Sequence, residues 1–449
     1  MMYFSLFNMT IPAIHITFSK KDHEQNLKRS FSKTVFVTSS NTVTLTLAQD
    51  TTDVQASLVS PSKSRVAILR QTTDQDKKKR FVEIWAGDRL EASQEVSGTH
   101  GAFLTEGKFF FYQINVRQAY RKPLDALSSL SFSPSENALL YSAEAHDPAT
   151  NGSDKDIDPY DRLRYTPQLG EGFAGKKRPT LYLFRWGTSK EDESTTTFTK
   201  LTTLSVTPSS VHFILIQAVF ASEDRIFATG YEYTDSGRLL GIKGCFNRPA
   251  GVWMLYISHT DMSPDTKELA TASRLTPTDR SCRSPRVCVE ESTVFWLSNQ
   301  VGGAHASCVS LHSLNWRSTQ QKTIVDTVWQ PGQDGFPGLY LESSLPSRPF
   351  LKLGSDSFII THSIWGSRST VLLIATADGR VRDLTPDTDG MVYSWTVLGA
   401  DENRVICVRS SPSVPHEVLL GRFDNTGGVS WQILSQPTLT PESMFMIFQ

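Results

Sequence analysis

Short, strongly apolar runs recur along the chain at blade-like intervals, each introduced by a corner of small and acidic residues. Six segments share that layout: SPSKSRVAIL from Ser60, SPSENALLYS from Ser133, ASEDRIFATG from Ala221, VEESTVFWLS from Val289, GSDSFIITHS from Gly354 and GADENRVICV from Gly399. A second apolar run follows each: FVEIWAG from Phe81, TLYLFRWG from Thr180, GVWMLYI from Gly251, SCVSLHSL from Ser307, TVLLIATADG from Thr370 and EVLLGRF from Glu417. These are β-branched and aromatic stretches of strand length, bounded by Gly, Asp, Asn and Ser. A third, more polar strand often comes next and closes on a Leu-Thr pair, as at Leu201-Thr202, Leu275-Thr276 and Leu384-Thr385; its polarity suits an outer edge.

Within TVLLIATADGRVRDLTP, Asp378-Gly379 supplies the positive-φ positions of a tight hairpin. Each such unit reads as one blade, and TVFVTSSNTVTLTL from Thr34 reads as a partial one. The chain is therefore expected to be all-β, a β-propeller of about seven blades. Two packed β-sandwiches have the same strand composition but predict no shared strand order, so the recurrence selects the propeller. Two stretches interrupt it. From Ala145 to Pro179 a polar, Gly- and Asp-rich loop is inserted between strands of one blade. KKDHEQNLKRSF from Lys20, free of Pro, Gly and β-branched residues, reads as a short helix ahead of the propeller. The expected division is residues 1–33 as an N-terminal extension, 34–435 as propeller and 436–449 as a linker.

Composition narrows the function classes. At 449 residues the length leaves the domain count open, and the 39% hydrophobic and 10% aromatic content suffices for a sizeable core. With 45 Lys and Arg against 46 Asp and Glu, net charge -1, there is no electrostatic footprint for nucleic acid or an anionic membrane. The five cysteines, Cys245, Cys282, Cys288, Cys308 and Cys407, are odd in number and scattered, and read as reduced thiols rather than a disulfide scaffold. The apolar start, MMYFSLFNMTIPAIHI, has no basic residue before Lys20 and no cleavage site, and no later run approaches the roughly 20 apolar residues of a membrane helix. A cytoplasmic location is expected, and the sequons at Asn8 and Asn151 then carry no weight.

Chemistry is hard to find. An α/β serine hydrolase needs its nucleophile on a strained turn flanked by glycines, G-x-S-x-G. The nearest strings, Gly187-Thr188-Ser189-Lys190-Glu191 and Gly428-Val429-Ser430-Trp431-Gln432, each lack the second glycine and read as ordinary turns. The ten histidines form no H-E-x-x-H and no zinc spacing with cysteine, and Cys282 and Cys288 read as a pair at the start of a strand. No phosphate-binding glycine loop is present, so no metal, cofactor or catalytic residue is expected. Lys77-Lys78-Lys79-Arg80 reads as a solvated hairpin loop between strands ending near Arg70 and starting at Phe81. His362 and Trp365, within ITHSIWGSRS, are candidates to line a channel, with packing on a neighbouring blade as the ordinary alternative.

Several strings, in order, resemble the N-terminal propeller of the acylaminoacyl-peptidases (acylamino-acid-releasing enzymes) of the prolyl oligopeptidase group. They are SPSKSRVAILR with FVEIW, then LSFSPSENALLYSAE, then GIKGCFNRPAGVWML from Gly241, then GRVRDLTPDTDG, and the likeness extends from about Thr34 to Leu434. That resemblance implies a cytosolic serine peptidase that releases N-acylated amino acids from short peptides. In it a C-terminal α/β-hydrolase domain carries the Ser, Asp and His and the oxyanion hole, while the propeller covers the active site and admits only small peptides. No catalytic residue transfers to this chain, which stops at MFMIFQ. It is expected to be inactive alone, to be a fragment or incomplete gene model at both ends, to have the hydrolase domain and short N-acylated peptides as partners, and to form homo-oligomers. A free-standing propeller acting as a protein-interaction scaffold is the alternative from another class.

Overall fold

The computed structural model describes residues 13–105, 126–145, 167–186, 202–205, 213–257, 270–385 and 390–436, less residues 23, 39–40, 76, 342–343 and 425–426, together with Tyr160, Leu163 and Tyr165. Its strands form seven antiparallel sheets, each made from one continuous stretch of chain. They are the seven blades of a propeller: Ala13–Asp50, Val54–Glu95, Leu130–Ser205, Phe213–Arg274, Arg280–Val325, Phe350–Asp383 and Ser394–Ser435. Blades 2 to 7 are four-stranded meanders in which each strand pairs with the next in sequence.

The apolar runs of the sequence are the second and third strands of these blades. The acidic corners are the turns into the second strand, and their positive-φ residues include Lys63, Glu136, Ser292, Gly354 and Glu402. The corners also lock neighbouring blades together. Glu136 in the corner of blade 3 accepts hydrogen bonds from Ser62 N and Ser62 Oγ of blade 2 at 2.5 and 2.7 Å. Glu223 of blade 4 does the same for Ser135 N of blade 3 at 2.5 Å. Burial pushes the Glu136 carboxyl up, but the Ser62 hydrogen bonds prevail and hold it below its ordinary value.

Two of the three Leu-Thr closures share a geometry; the third is not a closure, since Thr202 begins the strand Thr202–Ser205 and Leu201 lies outside the described residues. Leu275 N donates to Val252 O while Thr276 Oγ1 accepts from Val252 N at 3.0 Å, and Leu384 and Thr385 do the same around Val371. Val96 and Ser97 repeat it around Arg80 in blade 2. Each pair extends the outer ladder by one step after the strand itself has ended, leaving no orphaned backbone group there.

A blade has one strand more than the sequence pattern reveals. The first strands lie nearest the axis, where those of blades 3 and 4, 4 and 5, and 6 and 7 touch one another. They are hard to read because the axis is crowded and polar atoms serve as cross-links there. Arg280–Cys288 spells RSCRSPRVC, yet its middle is buried. Ser129 and Ser131 hydroxyls of blade 3 accept from Ala218 N and Phe220 N of blade 4 at 2.9 and 3.2 Å. Bulges interrupt the first strands of blades 2, 4, 5 and 7, and those of blades 4 and 5 place Gln217 and Ser284 at φ of 52° and 60°.

Apolar side chains from adjacent blades fill the wedges from blade 2 round to blade 7, with Trp296 and Trp395 the largest fully buried. The ring closes between blades 7 and 1, where Val408, Val418, Leu420 and Leu434 pack on Ile16, Val35 and Val37. Among the described residues no strand of one end enters the sheet of the other.

Two expectations fail. The stretch from Lys20 to Phe31 is not a helix: it forms the ends of Ala13–Asp22 and Leu27–Val37, paired from Lys20 with Arg29 to Asp22 with Leu27. Twelve residues make a marginal helix even with favourable propensity, whereas this stretch continues the ladder that buries Val35 and Val37. Asp22 Oδ1 caps the turn by accepting from Glu24 N and Gln25 N, both at 3.1 Å. Thr34 thus lies inside a strand, and the first blade begins by Ala13. Likewise Lys77–Arg80 belongs to the strand Lys77–Ala86, opposite Asp74 to Gln71. The ladder extends because cross-strand pairs such as Lys79–Asp74, at 2.8 Å, favour it in solvent. Among the described residues no helix is long and apolar enough to cross a membrane.

Candidate functional site

Antiparallel meanders place the acidic corners on one face of the ring and the loops between second and third strands on the other, together with the connections between blades. That second face carries the longer loops, and three of them converge where blades 4 and 5 meet. The 233–249 loop of blade 4 holds GIKGCFNRP, the later part of the Ala145–Pro179 insertion lies against it, and the 301–309 loop of blade 5 closes the other side.

Close backbone contact joins the first two. Ile242 N donates to Leu169 O at 3.1 Å and Leu239 N to Tyr165 Oη at 2.7 Å. Gly170, at φ 94°, and Gly241 meet so closely that a Cβ on Gly170 would lie 2.6 Å from the Gly241 Cα. Lys243 fills the space over Gly172. Arg248 Nε donates to Gly241 O at 2.9 Å and draws the loop into a compact turn.

Phe246 and Asn247 then reach across to blade 5. Asn247 Nδ2 donates to Gly303 O, and Phe246 N donates to His305 O at 2.9 Å. Beneath the Phe246 ring, 4.4 Å from its centroid, lies the guanidinium of Arg283, 1% exposed on the first strand of blade 5. Its Nη1 donates to Asn299 Oδ1 at 2.6 Å. Burial lowers the Arg283 pKa to about 10, opposed by Tyr231 and Cys282, so the cation persists at neutral pH. Burial likewise pushes the Tyr231 phenol up and the Cys282 thiol up to about 11, which keeps both neutral around it. The bulge at Ser284 secures this strand: Ser284 N donates to Gln217 Oε1 of blade 4 at 2.9 Å, and its Oγ accepts from Leu345 N at 2.9 Å.

The arrangement around Phe246 and Arg283 is a cationic anchor under a loop face. A serine–imidazole pair in blade 5, Ser298 Oγ and His312 Nε2 at 2.8 Å, is not built for acyl transfer. Ser298 is buried, its oxygen accepts from Nε and Nη2 of Arg280, and the other nitrogen of His312 faces the Thr323 hydroxyl rather than a carboxylate. Burial and the Arg280 charge depress His312 to about 4. An oxygen committed to a guanidinium is a poor nucleophile.

Other sequence candidates fall elsewhere. Trp365 ends a blade 6 strand and packs edge-on against Phe336 at 5.6 Å. His362 Nδ1 accepts from Val397 N of blade 7 at 3.3 Å, so both residues serve inter-element packing. Gly428-Val429-Ser430 forms a hairpin turn into Val429–Ser435, and residues 187–191 lie outside the described residues. Cys282 and Cys288 share one strand, and all five cysteines are free. The described residues contain no group of three potential metal ligands. Sequence reading singled out GIKGCFNRP but not Arg283 or His305, whose contacts with it span 37 residues to Phe246 and 60 to Cys245 and leave no local signal.

The chain matches the family model of the acylamino-acid-releasing enzyme, N-terminal domain, over residues 3–443. It is 24% identical over 409 residues to the acylamino-acid-releasing enzyme of Arabidopsis thaliana, covering 85% of this chain and 49% of that one. The Homo sapiens enzyme is 24% identical over 466 residues, 96% of this chain and 57% of that one. The chain thus spans about half the length of the curated relatives it matches. Prolyl oligopeptidase B from Galerina marginata superposes with a TM-score of 0.50 at 10% identity, over 96% of this chain and 52% of that one, a likeness of fold alone. With a match that runs through all seven blades, the chain belongs to the family of the acylamino-acid-releasing enzyme N-terminal domain.

Proposed function

We propose that this propeller is the substrate-gating part of a cytoplasmic serine peptidase that releases N-acylated amino acids from short peptides. Its working partner is an α/β-hydrolase domain that carries the nucleophile, the base and the oxyanion donors, and residues 436–449 lead toward that domain. The observation that carries the reading is the family match over residues 3–443 of a chain whose 449 residues contain no G-x-S-x-G. The stiff seam between blades 4 and 5 supports it, since a gate must hold its shape while excluding larger polypeptides. We further propose that the propeller assembles into homo-oligomers.

The purified chain, mixed with N-acetyl-alanine p-nitroanilide, should release no nitroaniline. A hydrolase domain from an acylamino-acid-releasing enzyme, supplied separately, should bind the chain; its cleavage of long acylated polypeptides should then fall while short acylated peptides remain substrates. Turnover by the chain alone would overturn the reading, as would a hydrolase domain that neither binds nor changes its size preference. Light scattering above the 50.1 kDa of one chain would support assembly.

A further inference from the structure

The turn that seats Phe246 on Arg283 also carries a thiol that gating does not use. Cys245 is half-buried, and its Sγ lies 3.1 Å from Nδ1 of the exposed His305. Nη2 of Arg248 donates to the same sulfur at 3.6 Å. The three groups come from loops of two blades, and backbone contacts set their spacing: Phe246 N to His305 O, and Gly302 N to Asn247 O at 3.0 Å. In the same turn Asn247 is 5% exposed and its Oδ1 has no hydrogen-bond partner.

The other four cysteines are differently placed. Cys282, Cys308 and Cys407 are buried. Burial pushes Cys288 up to about 12, with Glu291 and Glu290 adding to the effect, and raises Cys407 well above its ordinary value. A half-buried thiol with an exposed imidazole and a guanidinium at its sulfur is an arrangement from which thiolate chemistry proceeds.

We propose that Cys245 is a modification site, a thiol oxidised by peroxides with His305 as its proton acceptor. His305 Nδ1 takes the thiol proton and the sulfur attacks one peroxide oxygen. The S–O bond forms as the O–O bond breaks, and the departing hydroxide or alkoxide recovers the proton from His305 as water or alcohol. Sulfur is oxidised by two electrons to the sulfenic acid and the peroxide is reduced by two.

The test uses the full chain, limiting iodoacetamide, and peptide mass spectrometry to time the labelling of each cysteine. Cys245 should react at least about tenfold faster than the other four, and hydrogen peroxide followed by dimedone should place the adduct there. His305→Gln should slow labelling roughly tenfold. Arg248→Gln, which keeps the Phe246–His305 backbone bond, should slow it about threefold. Cys245→Ser should abolish the fast phase while preserving the near-ultraviolet dichroism. The proposal falls if Cys245 reacts no faster than the rest, if dimedone labels another cysteine first, or if neither His305→Gln nor Arg248→Gln changes the rate.

Discussion

The seam between blades 4 and 5 and the seam that closes the ring join the same kind of sheet by different means. Blades 4 and 5 are linked covalently through residues 275–279, and their apolar wedge of Phe227, Val252, Val294 and Trp296 is reinforced by polar cross-links at the axis and the loop face. Gln217 ties the two inner bulges together, while Phe246 and Asn247 tie the loops. Blades 7 and 1 meet through Val418, Leu420 and Leu434 against Val35 and Val37. Their polar ties lie near the rim: Lys33 Nζ to Ser435 Oγ at 2.8 Å, Arg422 Nη1 to Asn41 Oδ1 at 2.7 Å and Gln432 Nε2 to Asn41 O at 2.6 Å.

The difference teaches where a ring of equivalent blades is weakest. Closing blade 7 on blade 1 brings together residues some four hundred positions apart, so its contacts must offset a loop-closure entropy that adjacent blades never face. Among the described residues no strand is exchanged between blades 7 and 1, and the seam is held there by side-chain packing and the ties near the rim. The ring is expected to breathe at that seam first.

The largest effect should come from the interior seam. Arg283→Ala removes a buried side chain, uncovers Phe246 and strands Asn299 Oδ1, and should lower unfolding stability by about 3–5 kcal/mol in a urea titration. A loss under about 1 kcal/mol would mean that the loop face, not the cation, holds blades 4 and 5 together.

Next is a pH effect in blade 5. Burial, aided by Arg280, holds His312 at about 4 in the folded protein, below an unfolded value near 6.5. Its contribution is therefore complete above pH 6.5 and lost as pH falls toward 4, by at most about 3 kcal/mol. Burial lowers His416 of blade 7 in the same direction. His312→Gln should flatten the fall in melting temperature between pH 6.5 and 4; an unchanged slope would assign it to His416 or to the carboxylates.

The smallest effect concerns the closing seam. Leu420→Ala should cost about 2–3 kcal/mol, with faster hydrogen exchange of the Ala13–Asp22 and Leu27–Val37 amides and unchanged exchange in Arg280–Cys288. Uniform acceleration around the ring would show that the two seams open together and would remove the contrast.

Much of this was legible along the chain, and the limits are instructive. Second and third strands such as Ala138–Glu144 and Pro179–Arg185 are buried on both faces and read as unbroken apolar runs. First strands were missed where crowding at the axis favours Ser, Arg and bulges, as in Arg280–Cys288. Local propensity in the segment from Lys20 to Phe31 favours a helix, while the sheet that recruits it is held by packing on blade 7, far away in sequence. Of the site, GIKGCFNRP stood out as a string, but neither its seat on Arg283 nor its meeting with His305 left a local mark.

The sequence by itself determined the repeating unit, because a two-residue strand period and turn-forming corners are set by neighbours a few positions apart. It also determined the family, through strings recurring in order. Only the tertiary structure decided which polar residues become cross-links. Arg283, Gln217 and Ser284 look like ordinary solvent-facing residues until the wedge between two blades takes them out of water, where each must find its partner on a strand the sequence places far away.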